Sequence, residues 1–246
     1  ANGVVISKTA CPAGNTQFQS AGVQSTSALA CASTVSQTYY HDGSGTLPSV
    51  GDTAWSDNGV TVLPNGAYKL NATSFYQITS GNGTVAGPSS FVFASAYSSG
   101  LGYGTVILAC SNTLGQTYYH NGSGSLPAAG DICYSDQCKS TVLANAYYKL
   151  NGGTTYAEIS GGSGVVQSVG SFSFGTSWTG SVSAADATAA CALSTVATTY
   201  THDNVSGDPI VNDTCYTDAC KANVLADGFY KTTNSTAITI SGGAGN

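Results

Sequence analysis

The chain has no arginine and no methionine, and Glu158 is its only glutamate. Charged residues occupy 7% of its 246 positions, far below the roughly 25% of an average soluble protein. All six cations are lysines and the net charge is −6. A phosphate backbone needs a clustered basic patch, so nucleic-acid binding is excluded as a function class. No run of about 18 apolar residues occurs, so the sequence predicts no membrane insertion by a helix. The opening "ANGVVISKTACP" lacks the charged region and apolar core of a signal peptide, so an export signal would lie outside this sequence. No G-x-S-x-G or comparable nucleophile element is present. What the chain does have is 41% hydrophobic residues, 31 glycines and eight cysteines. That composition supports packed cores and predicts an oxidising compartment, with the protein secreted or on a cell surface.

Internal similarity organises the rest. "TYYHDGSGTLPSVGD" at 38–52 is answered by "TYYHNGSGSLPAAGD" at 117–131 and by "TYTHDNVSGDPIVND" at 199–213. Cys31, Cys110 and Cys191 stand 10, 10 and 11 residues before His41, His120 and His202, which are all the histidines, and Asp52, Asp131 and Asp213 each follow by 11. Period-two alternation at Phe91/Phe93, Phe172/Phe174 and Ile238/Ile240 reads as half-buried strand, and "DGSG", "NGSG" and "LPNG" read as turns. The nearest helical candidate, 183–193, reads as strand or loop because its equivalents do not look helical. The expected fold is all-β, with three tandem small antiparallel β-sandwich or barrel-like repeats of about 80 residues. Their bounds are 1–87 (the end of a preceding repeat plus repeat one), 88–168, and 169–246, the last incomplete at its end. This phase predicts a window cut from a longer array, or a last repeat completed by the first segment of another copy.

Cys133/Cys138 and Cys215/Cys220 share C-x4-C spacing and phase, while repeat one has Ala54 and Gly59 in their places. Joint presence and joint absence predict the disulfides Cys133–Cys138 and Cys215–Cys220, over a redox dithiol or half a zinc site. Cys11–Cys31 is a further candidate pair, and the partners of Cys110 and Cys191 stay open. Each histidine is expected to end a strand and bond a backbone group or the following aspartate, rather than to catalyse. No cofactor is expected; calcium on Asp42, Asp52 and Asp57 is the alternative weighed, although the spacing of a calcium loop is absent. Trp55, Tyr134 and Tyr216 are candidate glycan contacts, against the commoner role of aromatics in small cores. Lys69, Lys149 and Lys231, each following an aromatic, read as solvated or hydrogen-bonded strand-end lysines, over an intramolecular isopeptide bond.

With "YYHNGSG", "GD-x-x-Y-S-D" and the aromatic–lysine pair in view, the chain resembles a repeat of large secreted and cell-surface proteins of Bacteroidota, including giant adhesin-like proteins of gliding or predatory members. The resemblance covers nearly the whole chain, and repeat three departs at "THDNVSGDPIVND". It implies type IX secretion cargo built from strings of β domains with attachment or adhesive regions. The expected function is a non-enzymatic structural or adhesive segment that self-associates head to tail and laterally. A carbohydrate-binding module and an accessory part of a secreted hydrolase are the alternatives.

Overall fold

The structure is a computed structural model that describes residues 15–205 and 207–242. It is all-β in character: short antiparallel sheets with three six-residue helices. Packing divides the chain into two compact units.

The first unit comprises the described residues up to Ala94 together with Asp136–Thr141. It begins with β1 (Thr16–Ser20), α1 (Ser27–Ala32), β2 (Gln37–His41) and β3 (Ala54–Trp55), whose strands form a sheet in the order β1-β2-β3. A second sheet, β4-β5-β6, follows from β4 (Gly66–Lys69), β5 (Ser74–Ile78) and β6 (Val85–Ser90). Alternation along the strands turns Phe18, Ala54, Tyr68, Tyr76, Ile78 and Val85 into one core. Tyr68 and Tyr76 stack there at 5.1 Å between ring centroids, with Phe18 edge-on to Tyr76.

The second unit comprises Ser95–Ser135 and the described residues from Val142 onward. Its first part repeats the same element order: β7 (Ser95–Ser99), α2 (Val106–Ser111), β8 (Gln116–His120), β9 (Cys133–Tyr134), β10 (Ala146–Lys149), β11 (Thr155–Ile159) and β12 (Val166–Ser171). Next come β13 (Thr176–Gly180), α3 (Ala187–Ala192), β14 (Thr198–His202), β15 (Cys215–Tyr216), β16 (Gly228–Lys231) and β17 (Ala237–Ile240). Tyr97 and Trp178 take the core place of Phe18.

Segment 183–193 corrects the strand-or-loop expectation. Residues 187–192 are helical, capped by the Asp186 carboxylate, which accepts the Ala189 N–H at 2.7 Å. Thr26 and Thr105 cap α1 and α2 in the same way. A helix of six residues is too short to show its periodicity, and here it is fixed at both ends by side chains. Lys69, Lys149 and Lys231 hydrogen-bond the closing carbonyls, those of Cys31 and Ser33, Cys110 and Asn112, and Cys191 and Leu193. Phe91/Phe93 and Phe172/Phe174 lie just past β6 and β12 rather than in strands. Ile238 and Ile240 lie in β17.

Candidate functional site

The three histidines end β2, β8 and β14, on the inward side of each strand, and none has any exposed surface. Each faces the aspartate 11 residues on: Nδ1 lies 3.3 Å from Oδ2 of Asp52, 3.3 Å from Asp131 and 3.1 Å from Asp213. The same carboxylate oxygen accepts a backbone N–H from within its own turn, Ser49, Ala128 or Ile210, each at 2.8 Å. In the third turn the His202–Asp213 hydrogen bond ties the strand end to the far end of the turn; His41 Nδ1 instead accepts the Gly43 N–H at 3.2 Å, and neither ring nitrogen of His120 has a hydrogen-bond partner among the described residues.

The glycine two residues after His41 and His120 makes room for the carboxylate. A Cβ at Gly43 would stand 2.0 Å from Asp52 Oδ2, and one at Gly122 would stand 2.1 Å from Asp131 Oδ2. In the third turn Asn204 follows Asp203 instead, and the loop takes another path: His202 Nε2 meets the Gly207 carbonyl at 3.0 Å. Acid–base catalysis needs a ring nitrogen within reach of a substrate. These rings are enclosed, with Phe18 edge-on to His41 at 5.5 Å and Tyr97 to His120 at 5.7 Å. What the arrangement can do is hold the turn.

The other candidates lie apart. Asp42 accepts the Thr53 N–H at 2.7 Å, and Asp57 accepts those of Val60 and Thr61. The Thr61 N–H is the main reason that the Asp57 carboxyl sits below its ordinary range. Among the described residues no three His, Cys, Asp or Glu side chains gather where they could hold a metal. Trp55 and Tyr216 are half-buried, bridged to Val62 and Val224. Tyr134, in the same position, is only 8% exposed, which leaves little ring face for a sugar.

The cysteines depart from the expected pairs. Cys138 is bonded to Cys31 and Cys220 to Cys110, at sequence separations of 107 and 110, so Cys133–Cys138, Cys215–Cys220 and Cys11–Cys31 are not formed. Cys11 itself lies outside the described residues. The physical reason is side-chain direction. Cys133 and Cys215 point into cores, beside Leu143 and Tyr148 in one case and Leu225 and Tyr230 in the other. They fill as free thiols the slot that Ala54 fills in β3. Cys138 and Cys220 instead sit in the loop after the short strand and reach a helix: Cys138 packs against the cluster of Ala30, Cys31, Phe75 and Phe91, and Cys220 against that of Ala109, Cys110 and Phe172. Joint presence in the sequence therefore marked two separate roles. The near-constant separations of 107 and 110 were the signal that could have found the true pairs.

No protein-family model, curated protein or solved structure matches the chain.

Proposed function

We propose that the chain is an extracellular structural or adhesive segment of a large surface protein or filament, made of three tandem β repeats of about 80 residues. The observation that carries this reading is the pair of disulfides, each joining a helix to a loop more than 100 residues later. A bond between the equivalent helix of one repeat and loop of the next makes a chain of repeats hard to pull apart, and such bonds are characteristic of oxidising compartments. Two further features support it. The three histidines are enclosed, each facing the aspartate of its own turn at 3.1–3.3 Å. The low charge density lets copies pack side by side with little repulsion. No helix among the described residues is long and apolar enough to cross a membrane.

The test is light scattering and negative-stain microscopy of the protein over a wide concentration range. Ordered linear assemblies are expected. A protein that stays monomeric at every concentration rejects the self-associating role, and saturable glycan-array binding lost in Trp55→Ala would replace it with a lectin.

A further inference from the structure

Among the described residues the sheet β16-β17 has two strands, whereas β4-β5 and β10-β11 each carry a third, β6 and β12. Those third strands are held on both flanks. Val85 lies opposite Ile78 of β5, and on its other side its N–H donates to Asp52 O at 2.8 Å while its carbonyl accepts the Gly51 N–H at 2.9 Å. Val166 repeats this with Ile159, Asp131 and Gly130. At the third such place the described residues leave an open groove of about 900 Å³, with Asn212, Asp213 and Cys215 on one wall and Thr236–Gly242 on the other. Ile78 and Ile159 are 1% exposed, but Ile240, their equivalent on the groove wall, is only half-buried. The groove has the form of a strand site, flanked by two backbones and an apolar side chain short of cover.

The strands that fill the other two sites share a signature. Gly83-Thr84-Val85 and Gly164-Val165-Val166 start them, and Phe91 and Phe172 stand six residues beyond the valine. The glycine is required: a Cβ there would meet the Ala54 carbonyl oxygen at 2.7 Å, or that of Cys133 at 2.8 Å, and φ is +77° and +71°. Apart from the Gly104-Thr105-Val106 that leads into α2, the triplet occurs again at Gly3-Val4-Val5, and six residues beyond Val5 stands Cys11.

The place Cys11 takes in this alignment is the telling part. Phe91 packs against Cys31 of α1, and Phe172 against Cys110 of α2. Under those covers Cys31 and Cys110 are buried, while Cys191, their equivalent in α3, is an exposed free thiol. Four of the eight cysteines are in disulfides and two, Cys133 and Cys215, are buried in cores, which leaves Cys191 and Cys11. The loop that would meet α3 from another copy's first repeat has Gly59 and no cysteine.

We infer that residues 3–11 of a second copy enter the groove as its third strand, and that Cys11 of that copy forms a disulfide with Cys191. The inference rests on the self-associating role proposed above and names its junction. Phe91 and Phe172 run within four residues into β7 and β13, as Cys11 runs within five into β1. The donor therefore brings its own β1 in as the next element in line. In the covalent step the two thiols lose two protons and two electrons to form one S–S bond. The acceptor is a disulfide-bearing oxidant, such as oxidised glutathione, which is reduced to two thiols.

Two experiments decide it. Isotopically light and heavy full-length protein, mixed and incubated in oxidised and reduced glutathione, is digested without reduction. A Cys11–Cys191 cross-link in mixed light–heavy form is expected. Its absence, or its presence in unmixed form only, overturns the proposal. In the second, the full-length Cys11→Ser variant meets a fluorescent peptide of residues 1–14 in the same buffer. Label is expected on Cys191, with a Gly3→Val peptide reacting about ten-fold more slowly, the factor given by about 1.4 kcal/mol of lost binding. Equal labelling by the two peptides would mean only an accessible thiol and overturns the strand site. Labelling without filaments keeps the junction and rejects the structural reading; filaments without the bond do the reverse.

Discussion

Cys215 shows how one buried atom sets a chemical property. Burial, with the Asp213 and Asp203 charges adding to it, pushes its thiol from an ordinary 9.0 up to about 11, and burial raises Cys133 as well. A thiol whose folded value lies above its unfolded one adds stability that is full below pH 9 and is lost as pH rises toward 11. We expect Cys215→Ala to flatten this alkaline limb in pH-dependent urea titrations at little cost near neutrality, because Ala54 fills the equivalent slot in β3. Near pH 8, iodoacetamide should modify native Cys191 while Cys133 and Cys215 react only on unfolding; quick modification of the buried pair would sink this account. For the histidines, His120→Ala removes an enclosed ring that lies 3.3 Å from Asp131, whose carboxylate keeps the Ala128 N–H. A loss of about 2–4 kcal/mol is expected in urea unfolding, with His41→Ala similar. Stability within error of the parent for either variant would show that the pair does not hold the turn.

At the scale of elements, the turns were legible and the helices were not. The 11-residue step from histidine to aspartate recurs without change, and a local carboxylate contact leaves such a fixed spacing in a sequence. Strands alternating about Ile238 were legible for the same reason, since a period of two shows within five residues. The helices Ser27–Ala32, Val106–Ser111 and Ala187–Ala192 are under two turns long, so they have no apolar stripe to read. Their sign was the cap, Thr26, Thr105 and Asp186, with a lysine some 40 residues later closing the other end. Thr105→Ala should lower stability by about 1 kcal/mol. Lys149→Met should lower it further by leaving the Cys110 and Asn112 carbonyls unpaired, since the two act at opposite ends of α2. Chemical denaturation of the single and double variants checks this; a double variant no weaker than Thr105→Ala alone would show that the lysine does not close the helix.

At the scale of the whole molecule the disulfides were the least legible feature, because a covalent partner 107 or 110 residues away leaves no local pattern. Their energetic weight is correspondingly large. Closing a loop of about 100 residues removes unfolded-state entropy worth about 4.7 kcal/mol in the chain-entropy model. The loops 31–138 and 110–220 overlap over 110–138, so once one is closed the other constrains a chain already shortened, and the two contributions do not simply add. Reduction should therefore lower the urea midpoint by more than either Cys138→Ser or Cys220→Ser does, but by less than the sum of the two. The packing around the bonds sharpens the expectation. Loss of the Cys138 bond frees the loop Asp136–Thr141 from the first unit and opens the face of α1 shared with Phe75 and Phe91. Cys138→Ser should then expose Cys31 to alkylation under native conditions while Cys110 stays bonded to Cys220, which mass mapping of the modified thiols reads directly. An unchanged urea midpoint on full reduction, or simultaneous release of Cys31 and Cys110 in the single variant, would mean that the bonds do not act as two separate staples along the chain.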